Sequence, residues 1–359
     1  MTMQKIDRDR SPRSGGRAGV FATVTDTLIE LIEGGRLPWR PAWSEQRPRK
    51  GRPREPRLVL IGRPAVPISI SSRRPYRGVN VLILWASSIR RGCGSPYWGT
   101  LNAWNGVGCR VRKGEQATRI VRWVEQSEVD PESGEVVDEE WFPVIHSVFN
   151  AGQVDGPAEM LAEFRADAPA PQVVAGAEPA PTAGPISWDW EPAERLVAAL
   201  NPRLRWAGKR ACYNLRSDMI HMPDRDRFHS QAGIYGVLMH EVGHWTGQSK
   251  RLARDLSGDQ GTPSYWFEEL VAELTSCFVL ASLDLPGRLE ELPNSAAYLQ
   301  NYLGLLRDDR RLLVRAAGLA QKASDYIVSG GTAPAGATGP HRDRRTADEG
   351  MTDAEGSRP

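Results

Sequence analysis

The sequence predicts an α+β fold class, with a mixed α/β first domain joined by a linker to a mainly helical second domain. Alternating apolar residues in the first half indicate strands, whereas apolar residues in the second half recur at helical spacing. Between the two halves, residues 165–187 are rich in Ala, Pro and Gly, which is typical of a linker.

These patterns divide the chain into five segments. A basic tail that we expect to be disordered covers residues 1–17, and the first domain covers 18–156. A linker at 157–187 leads to the second domain at 188–330. A charged tail rich in Gly and Pro covers 331–359 and is expected to be disordered.

The first domain should begin with an amphipathic helix at residues 20–33, and a second apolar helix should begin at Asn80 to Trp85. Ile120 to Val124 and Phe142 to Phe149 both alternate in the manner of strands. An acidic turn joins them, so we predict a long β-hairpin.

The second domain should contain a helix at Pro192 to Leu200 and a small hairpin within residues 211–223. Two helices follow, the first around His240 and His244 and the second around Glu269 and Glu273. Two further helices are predicted at Ala296 to Leu306 and Arg310 to Ile327.

The most specific pattern in the chain is His240-Glu241-Val242-Gly243-His244, which reads H-E-x-x-H. Two histidines four residues apart lie on one face of a helix and can hold one metal ion. The glutamate between them then faces the open side of the metal, where a water molecule binds. The alternative is a helix whose two histidines bind no metal.

A site of this kind requires a third protein ligand. In one class of metallopeptidases the ligand is the last histidine of H-E-x-x-H-x-x-G-x-x-H, but Lys250 occupies that position here and excludes the class. The other common source is a glutamate from a following helix. Residues 266–274 hold three glutamates in an apolar segment, where acidic side chains require partners.

Glu269 is the candidate third ligand. Glu273 lies four residues later on the same face and is the candidate outer carboxylate that hydrogen-bonds a ligating histidine. Glu268 is rotated away from this face by about 100°. A solvated charge near the start of the helix is as good an explanation for Glu268 as a place in the site. A surface ion-pair face is the competing explanation for Glu269 and Glu273.

This arrangement resembles that of the thermolysin-like zincins. The resemblance implies a zinc site at His240, His244 and Glu269, with another divalent metal as the alternative. Glu241 would act as the general base of a zinc metallopeptidase. The remaining candidates for stabilising an oxyanion, for which an unrelated role is favoured, are His221, His229, Tyr235 and Tyr265.

The net charge of +2 conceals a strong asymmetry along the chain. Residues 1–126 hold 24 basic and 9 acidic side chains, which predicts a polyanionic partner for the first half, with a solubilising surface as the alternative. No stretch approaches the roughly 18 apolar residues of a membrane span. The basic N-terminus lacks the pattern of a secretory signal, and the four cysteines form no C-x-x-C pair. These features predict a cytoplasmic protein with no membrane partner.

Several motifs in order resemble those of the ArdC-type antirestriction proteins of plasmids and other mobile elements. They are Leu37–Trp43, Arg74–Asn80, Val111–Glu115, Val148–Asn150, His240–Thr246 and Glu268–Glu273. The resemblance covers about residues 20–155 and 188–328, and implies a single-stranded-DNA-binding domain followed by a zincin-like metallopeptidase domain. One departure from the family is expected at Thr100 to Cys109. The family should be helical here, but Asn102 to Gly106 do not read as a helix in this sequence.

Aromatic and basic side chains of the first domain are candidate contacts to single-stranded DNA, because bases stack on rings and cations bind phosphates. We select Trp39, Arg40, Arg74, Tyr76, Arg77, Trp98, Arg112 and Lys113. A core position is the alternative for each aromatic residue. Phosphate contacts of this kind give non-specific, salt-dependent binding.

The leading hypothesis is an antirestriction protein that binds single-stranded DNA and carries a metallopeptidase-type site, with a protein substrate such as a restriction-system component as its second partner. One alternative is a DNA-binding protein with a structural or vestigial metal site that acts by occupancy alone. Another is a conventional metallopeptidase tethered to DNA. An intact Glu241 favours chemistry, because a structural site requires no base.

Overall fold

The computed structural model describes most of the two predicted domains. The described residues are 58–61, 66–129, 136–165, 172–175, 189–228, 231–283 and 303–332, together with Ala22, Thr25, Asp26 and Ile29. Those four single residues are helical, and the rest of the helix predicted at 20–33 lies outside the described residues, as do Trp39 and Arg40.

The elements alternate between strand and helix in the first half and become mainly helical in the second, which confirms the α+β class. The strands are β1 Leu58–Ile61, β2 Ile68–Ser69, β3 Tyr97–Gly99, β4 Arg110–Val111, β5 Thr118–Val129, β6 Val136–Asn150, β7 Val154–Asp155, β8 Gln172–Ala175, β9 Arg203–Trp206, β10 Cys212–Asn214 and β11 Met219–Met222. The α-helices are α1 Val79–Arg91, α2 Leu101–Gly106, α3 Ala158–Phe164, α4 Glu191–Leu200, α5 Gln231–Thr246, α6 Pro263–Ser282 and α7 Leu312–Val328. Two 3-10 turns lie at Ala151–Gln153 and Arg225–Arg227, and residues 303–308 are also helical.

The first half is built on a four-stranded sheet in the order β2-β3-β6-β5. Strands β5 and β6 pair antiparallel over most of their length, so the predicted hairpin is confirmed and is longer than its alternation suggested. Its apolar residues Ile120 and Val148 lie under helix α1, where Leu84 and Trp98 complete a small core.

Helix α2 corrects one expectation, because residues 102–106 are helical after all. The Thr100 side chain caps the helix by accepting a hydrogen bond from the backbone N–H of Ala103 at 3.2 Å. Trp104 is fully buried, and its indole N–H donates to the carbonyl of Phe149 at 3.0 Å. The cap and the buried indole therefore outweigh the weak helix propensity of asparagine and glycine in this segment.

The range predicted as linker, 157–187, contains two ordered elements. Helix α3 buries Leu161 and Phe164, and the Phe164 ring meets the edge of Trp104 with a centroid distance of 5.4 Å. Strand β8 pairs antiparallel with β1. The first half therefore extends past its predicted end at residue 156, because apolar residues within an alanine-rich segment reach its core.

The two predicted domains share one apolar core. Val79 of α1 is buried in the same cluster as Leu270 of α6 and Leu313 of α7. At the start of α1, the backbone N–H of Gly78 donates to the Gln321 side chain at 2.9 Å. The geometry fixes the first half against the helices of the second.

The second half packs α5, α6 and α7 against α4 and a small sheet in the order β10-β11-β9. The predicted hairpin is confirmed as β10 and β11, whereas β9, which pairs parallel to β11, was missed. The helix predicted at 310–327 corresponds to α7, and the one predicted at 296–306 is described only from residue 303 onward. Within the described residues, no helix has the length and apolarity to cross a membrane.

Candidate metal centre

Helix α5 brings the H-E-x-x-H residues to a closely packed helix interface. Its apolar residues Ile234, Leu238 and Val242 are buried, which holds the helix in the core of the second half. At Gly243, a Cβ atom would lie only 3.2 Å from the Cα of Ala272 on α6. Glycine here therefore permits the close approach of the two helices that carry the candidate ligands.

Three candidate ligands converge between α5 and α6. The Nε2 atoms of His240 and His244 are 3.1 Å apart. The Glu269 carboxylate approaches His240 Nε2 to 3.6 Å and His244 Nε2 to 3.5 Å. Bonds of about 2.0–2.2 Å in a tetrahedron separate ligand atoms by roughly 3.3 Å. The spacing therefore fits a single divalent ion bound by two nitrogens and one carboxylate.

Two further glutamates face the outer nitrogens of the same imidazoles. Glu273 lies 3.4 Å from His240 Nδ1, as its spacing predicts, although this contact lacks hydrogen-bond geometry. Glu268 lies 3.2 Å from His244 Nδ1 and is buried, so it is not a solvated charge at the start of the helix. Each histidine thus has one carboxylate behind it, an arrangement that orients metal-binding imidazoles.

The position of Glu268 was missed because helical rotation alone turns it away from Glu269. His244 lies one turn beyond His240 on α5. Its Nδ1 atom faces Glu268 of α6, whereas Nδ1 of His240 faces Glu273. The available signal was the burial cost of a carboxylate in an apolar segment, which applies to Glu268 as much as to its neighbours.

The electrostatics of the site favour a bound cation. Burial opposes charge on His244, but its hydrogen bonds to the Glu268 and Glu269 carboxylates outweigh that effect and raise the pKa of His244 to about 10. Burial alone would raise the pKa of Glu269, but the hydrogen bond with His244 and the charges of both histidines lower it to about 2. The carboxylates thus stabilise positive charge at this position, which is the charge that a bound metal ion would carry.

Glu241 lies beside the ligand cluster and is almost fully buried. Burial raises the pKa of its carboxyl group, although the charges of His240 and His244 act in the opposite direction. The backbone N–H of Tyr213, on strand β10, also interacts with this carboxylate. A buried carboxylate with a raised pKa is suited to accept a proton.

The remaining candidates separate clearly. Tyr265 hydrogen-bonds the Glu269 carboxylate and helps to lower its pKa. Tyr235 is buried away from the ligands, where its hydroxyl donates to Glu194 at 2.7 Å. His221 lies on β11 opposite Cys212 of β10, and His229 lies outside the described residues.

The predicted DNA contacts differ in how far their side chains are exposed. Trp98 is fully buried, which favours the core position over stacking on bases. Tyr76 is partly buried and packs against the core beneath α1. Arg74 and Lys113 are exposed, as phosphate contacts must be.

Arg77 and Arg112 are occupied by other parts of the protein. Arg77 forms an ion pair with Asp325 of α7. The guanidinium of Arg112 bonds the Glu115 carboxylate at 2.6 Å and the carbonyl of Gly152 at 2.5 Å. Arg77 therefore pairs across the two halves and Arg112 pairs within the first, and both charges are partly neutralised before any ligand binds.

Comparison with known proteins matches both halves of the chain. Residues 19–149 match a family described as the N-terminal domain of anti-restriction factor ArdC. Residues 191–319 match a family described as zincin-like metallopeptidase. These ranges contain the described sheet of the first half and the helices that carry the candidate ligands.

Relatives share almost the whole length of the chain. Protein y4eC of Sinorhizobium fredii, named as uncharacterized, is 32% identical over 327 residues, which cover 89% of this chain and 94% of that protein. DNA primase TraC of Escherichia coli is 29% identical over 329 residues, which cover 85% of this chain but only 27% of the primase. The same pair of domains therefore also occurs as part of a longer protein.

Solved structures give the same result. The metal-free structure of antirestriction ArdC protein from the R388 plasmid is 33% identical, covers 87% of this chain and 97% of its own, and superposes with a TM-score of 0.62. Its Mn(II)-bound structure is 32% identical, covers 87% of this chain and 98% of its own, with a TM-score of 0.63. The chain therefore belongs to the ArdC antirestriction family.

Proposed function

We propose that this protein protects incoming DNA from host restriction, binding single-stranded DNA non-specifically with its first half and carrying a zinc metallopeptidase site in its second. The observation that carries the proposal is the convergence of His240, His244 and Glu269 beside the buried Glu241. A purely structural site would have no use for that fourth residue. Incoming DNA meets restriction enzymes in the cytoplasm, which is where the protein would act.

Zinc is the metal that we assign to the site, since two histidines and one glutamate form a ligand set of catalytic zinc peptidases. The related Mn(II)-bound structure supports a divalent ion at this site. A bound ion would polarise a peptide carbonyl and make a water molecule more acidic.

The chain's own residues would supply proton transfer and substrate alignment. The raised pKa of Glu241 suits it to take a proton from the attacking water and deliver it to the leaving amine. Strand β10 is at the edge of its sheet and borders Glu241 through Tyr213. An extended peptide could add to this edge as a further strand, which would place its carbonyl groups near the site. We propose a component of the restriction system as the protein substrate.

The first half would bind the DNA backbone through exposed cations such as Arg74 and Lys113. The excess of basic side chains in residues 1–126 supports a polyanionic partner. Trp39 and Arg40 remain candidate contacts, and they lie outside the described residues.

The decisive experiment replaces Glu241 by glutamine in the full-length protein, with Glu159→Gln as a control at an exposed glutamate. Metal content and DNA binding are measured first, because both should match the wild type. We then expect Glu241→Gln to lose protection of DNA against a restriction endonuclease, while Glu159→Gln retains it. Full protection by a metal-loaded Glu241→Gln protein would instead favour occupancy of DNA as the mechanism.

DNA binding is tested by titrating labelled single- and double-stranded oligonucleotides at two salt concentrations. The full chain is required, because one apolar cluster joins α1 of the first half to α6 and α7. We expect tighter binding to the single strand and a clear loss of affinity at the higher salt. Affinity that is independent of salt would contradict phosphate contacts.

A further inference from the structure

The loop that joins α5 to α6 returns an arginine beneath the metal helix. The Arg254 side chain is only 5% exposed. Its Nε atom donates to Glu268 Oε2 at 3.0 Å, and its Nη2 atom donates to Glu268 Oε1 at 2.6 Å. This two-pronged contact fixes the plane of the carboxylate as well as its position.

The same guanidinium is also bonded to α5. Nη2 donates to the carbonyl of Gly243 at 2.7 Å, and Nη1 donates to the Thr246 hydroxyl at 2.9 Å. Gly243 and Thr246 flank His244, the residue whose Nδ1 faces Glu268 at 3.2 Å. Arg254 therefore links both sides of the His244–Glu268 contact, one through each helix.

Gly247 gives this arrangement its space. A Cβ atom at that position would come within 2.9 Å of Arg254 Nη2 and within 2.9 Å of Leu256 Cδ2. The glycine that follows the H-E-x-x-H pattern thus makes room for the arginine. The contact with Arg254 therefore explains why a glycine stands at this position, and Gly247 itself takes no part in binding a metal.

We propose that Arg254 is a positioning residue for the metal site, acting through Glu268. The proposal rests on the metal site of the proposed function. By fixing Glu268 against His244 Nδ1, Arg254 keeps the proton on that nitrogen and leaves Nε2 free to bind a metal. It also holds the Glu268 carboxylate away from the ligand position that Glu269 occupies.

Arg251 offers a matched control in the same loop. Its side chain is 9% exposed and binds the Asp218 carboxylate through two nitrogens, at 2.5 and 3.1 Å. It therefore has the burial and bonding of Arg254, but its carboxylate partner does not touch a candidate ligand. Its Nε atom also donates to the carbonyl of Trp245 on α5 at 2.5 Å, so a variant at Arg251 reports what joining the loop to α5 contributes without any contact to Glu268.

The test compares the full-length wild type with Arg254→Gln, Arg251→Gln, Glu268→Gln and the double variant Arg254→Gln/Glu268→Gln. Zinc affinity is measured by competition with a chromophoric chelator, and cobalt(II) substitution reports ligand geometry through its visible spectrum. We expect Arg254→Gln to weaken zinc binding by roughly tenfold or more and to shift the cobalt spectrum. Arg251→Gln should keep the wild-type affinity and spectrum, and Arg254→Gln should add little in the Glu268→Gln background.

Equal zinc affinity and spectra in Arg254→Gln and the wild type would overturn the proposal, as would equal losses in the Arg254 and Arg251 variants. A wild type that binds no zinc would instead refute the proposed metal site itself. If Arg254→Gln does not fold, Gly247→Ala provides the second test. Its added methyl displaces Arg254, so the variant should also weaken zinc binding, and unchanged affinity there would refute the proposal.

Discussion

The metal helix and the segment Arg74–Asn80, which holds the candidate DNA contacts Arg74, Tyr76 and Arg77, were both singled out from sequence, and they differ in the structure. In the metal helix, His240 and His244 converge with a glutamate from the next helix. In the other segment, Arg77 is paired with Asp325 and Gly78 donates to Gln321. One motif assembles a candidate site, whereas much of the other joins the two halves of the protein.

The difference lies in what each pattern determines. Two histidines four residues apart on a helix have a fixed mutual geometry, so their spacing predicts a site directly. A run of aromatic and basic residues has no such constraint, because the same side chains serve equally in a core, in an ion pair or on a surface. Arg77 is an example, since it pairs with Asp325 of α7. Asn80, at the end of the same segment, also serves the fold, because its side-chain amide bonds both the N–H and the carbonyl of Val121 on β5.

The largest effect should come from Trp98, whose ring is buried in the small core beneath α1. Trp98→Ala removes a fully buried indole, and we expect a loss of about 3–5 kcal/mol in the free energy of unfolding. Urea unfolding measures this loss. Val144→Ala, at an exposed strand position, is the control and should change stability by less than about 0.5 kcal/mol. A stable Trp98→Ala protein with weakened DNA binding would restore the stacking prediction.

The metal helix should respond through ligand binding. His244→Ala removes one of three converging ligands, so zinc affinity should fall by more than the roughly 100-fold that marks the upper range for outer partners. Calorimetric titration with zinc measures it. His221→Ala, on strand β11, is the control and should bind zinc as the wild type does. Undiminished binding by His244→Ala would remove the basis of the comparison.

Helices and the long hairpin could be predicted because local periodicity decides them, and the H-E-x-x-H geometry is itself local. The partners that the sequence did not reveal are tertiary. Glu268 reaches His244 because of the crossing of two helices, and Arg254 reaches Glu268 because a loop folds back between them. Helix α3 was assigned to a linker because its two buried apolar residues are too few to produce a periodic signal.

A variant at Asn80 tests whether the segment Arg74–Asn80 serves the fold of the first half or a DNA surface. Asn80→Ala leaves two backbone groups of Val121 without their partner, which should lower the free energy of unfolding by about 1–3 kcal/mol. Thermal and urea unfolding measure the change. Asn105→Ala, at an exposed position of α2, should be nearly neutral. Full stability in Asn80→Ala, with reduced DNA affinity, would return this segment to the DNA surface.

A smaller effect should separate Lys113 from its neighbour Arg112. Lys113 is exposed, so Lys113→Ala should lower the slope of log affinity for single-stranded DNA against log salt by about 1. Arg112 is bonded to Glu115 and to two backbone carbonyls, so Arg112→Ala should mainly lower stability. Salt titrations of both variants test this. A larger change of slope in the Arg112 variant would show that its ion pair opens when DNA binds.

The smallest effect concerns the acidic partner of Arg112. Hydrogen bonds from Gln153 and Arg112 lower the pKa of Glu115 below its ordinary value of 4.5. Because the folded pKa is the lower one, this group stabilises the protein above pH 4.5, and the contribution is lost as pH falls through the folded pKa.

Glu115→Gln should therefore lower the melting temperature at pH 7, with a difference from the wild type that shrinks as pH falls toward 3. Thermal unfolding across this range tests the expectation, with Glu159→Gln, at an exposed carboxylate, as the control variant. A constant difference would mean that the Glu115 carboxylate contributes by shape alone. Arg112 would then be held chiefly by the carbonyls of Gly152 and Val154, and its pairing would not set its availability to DNA.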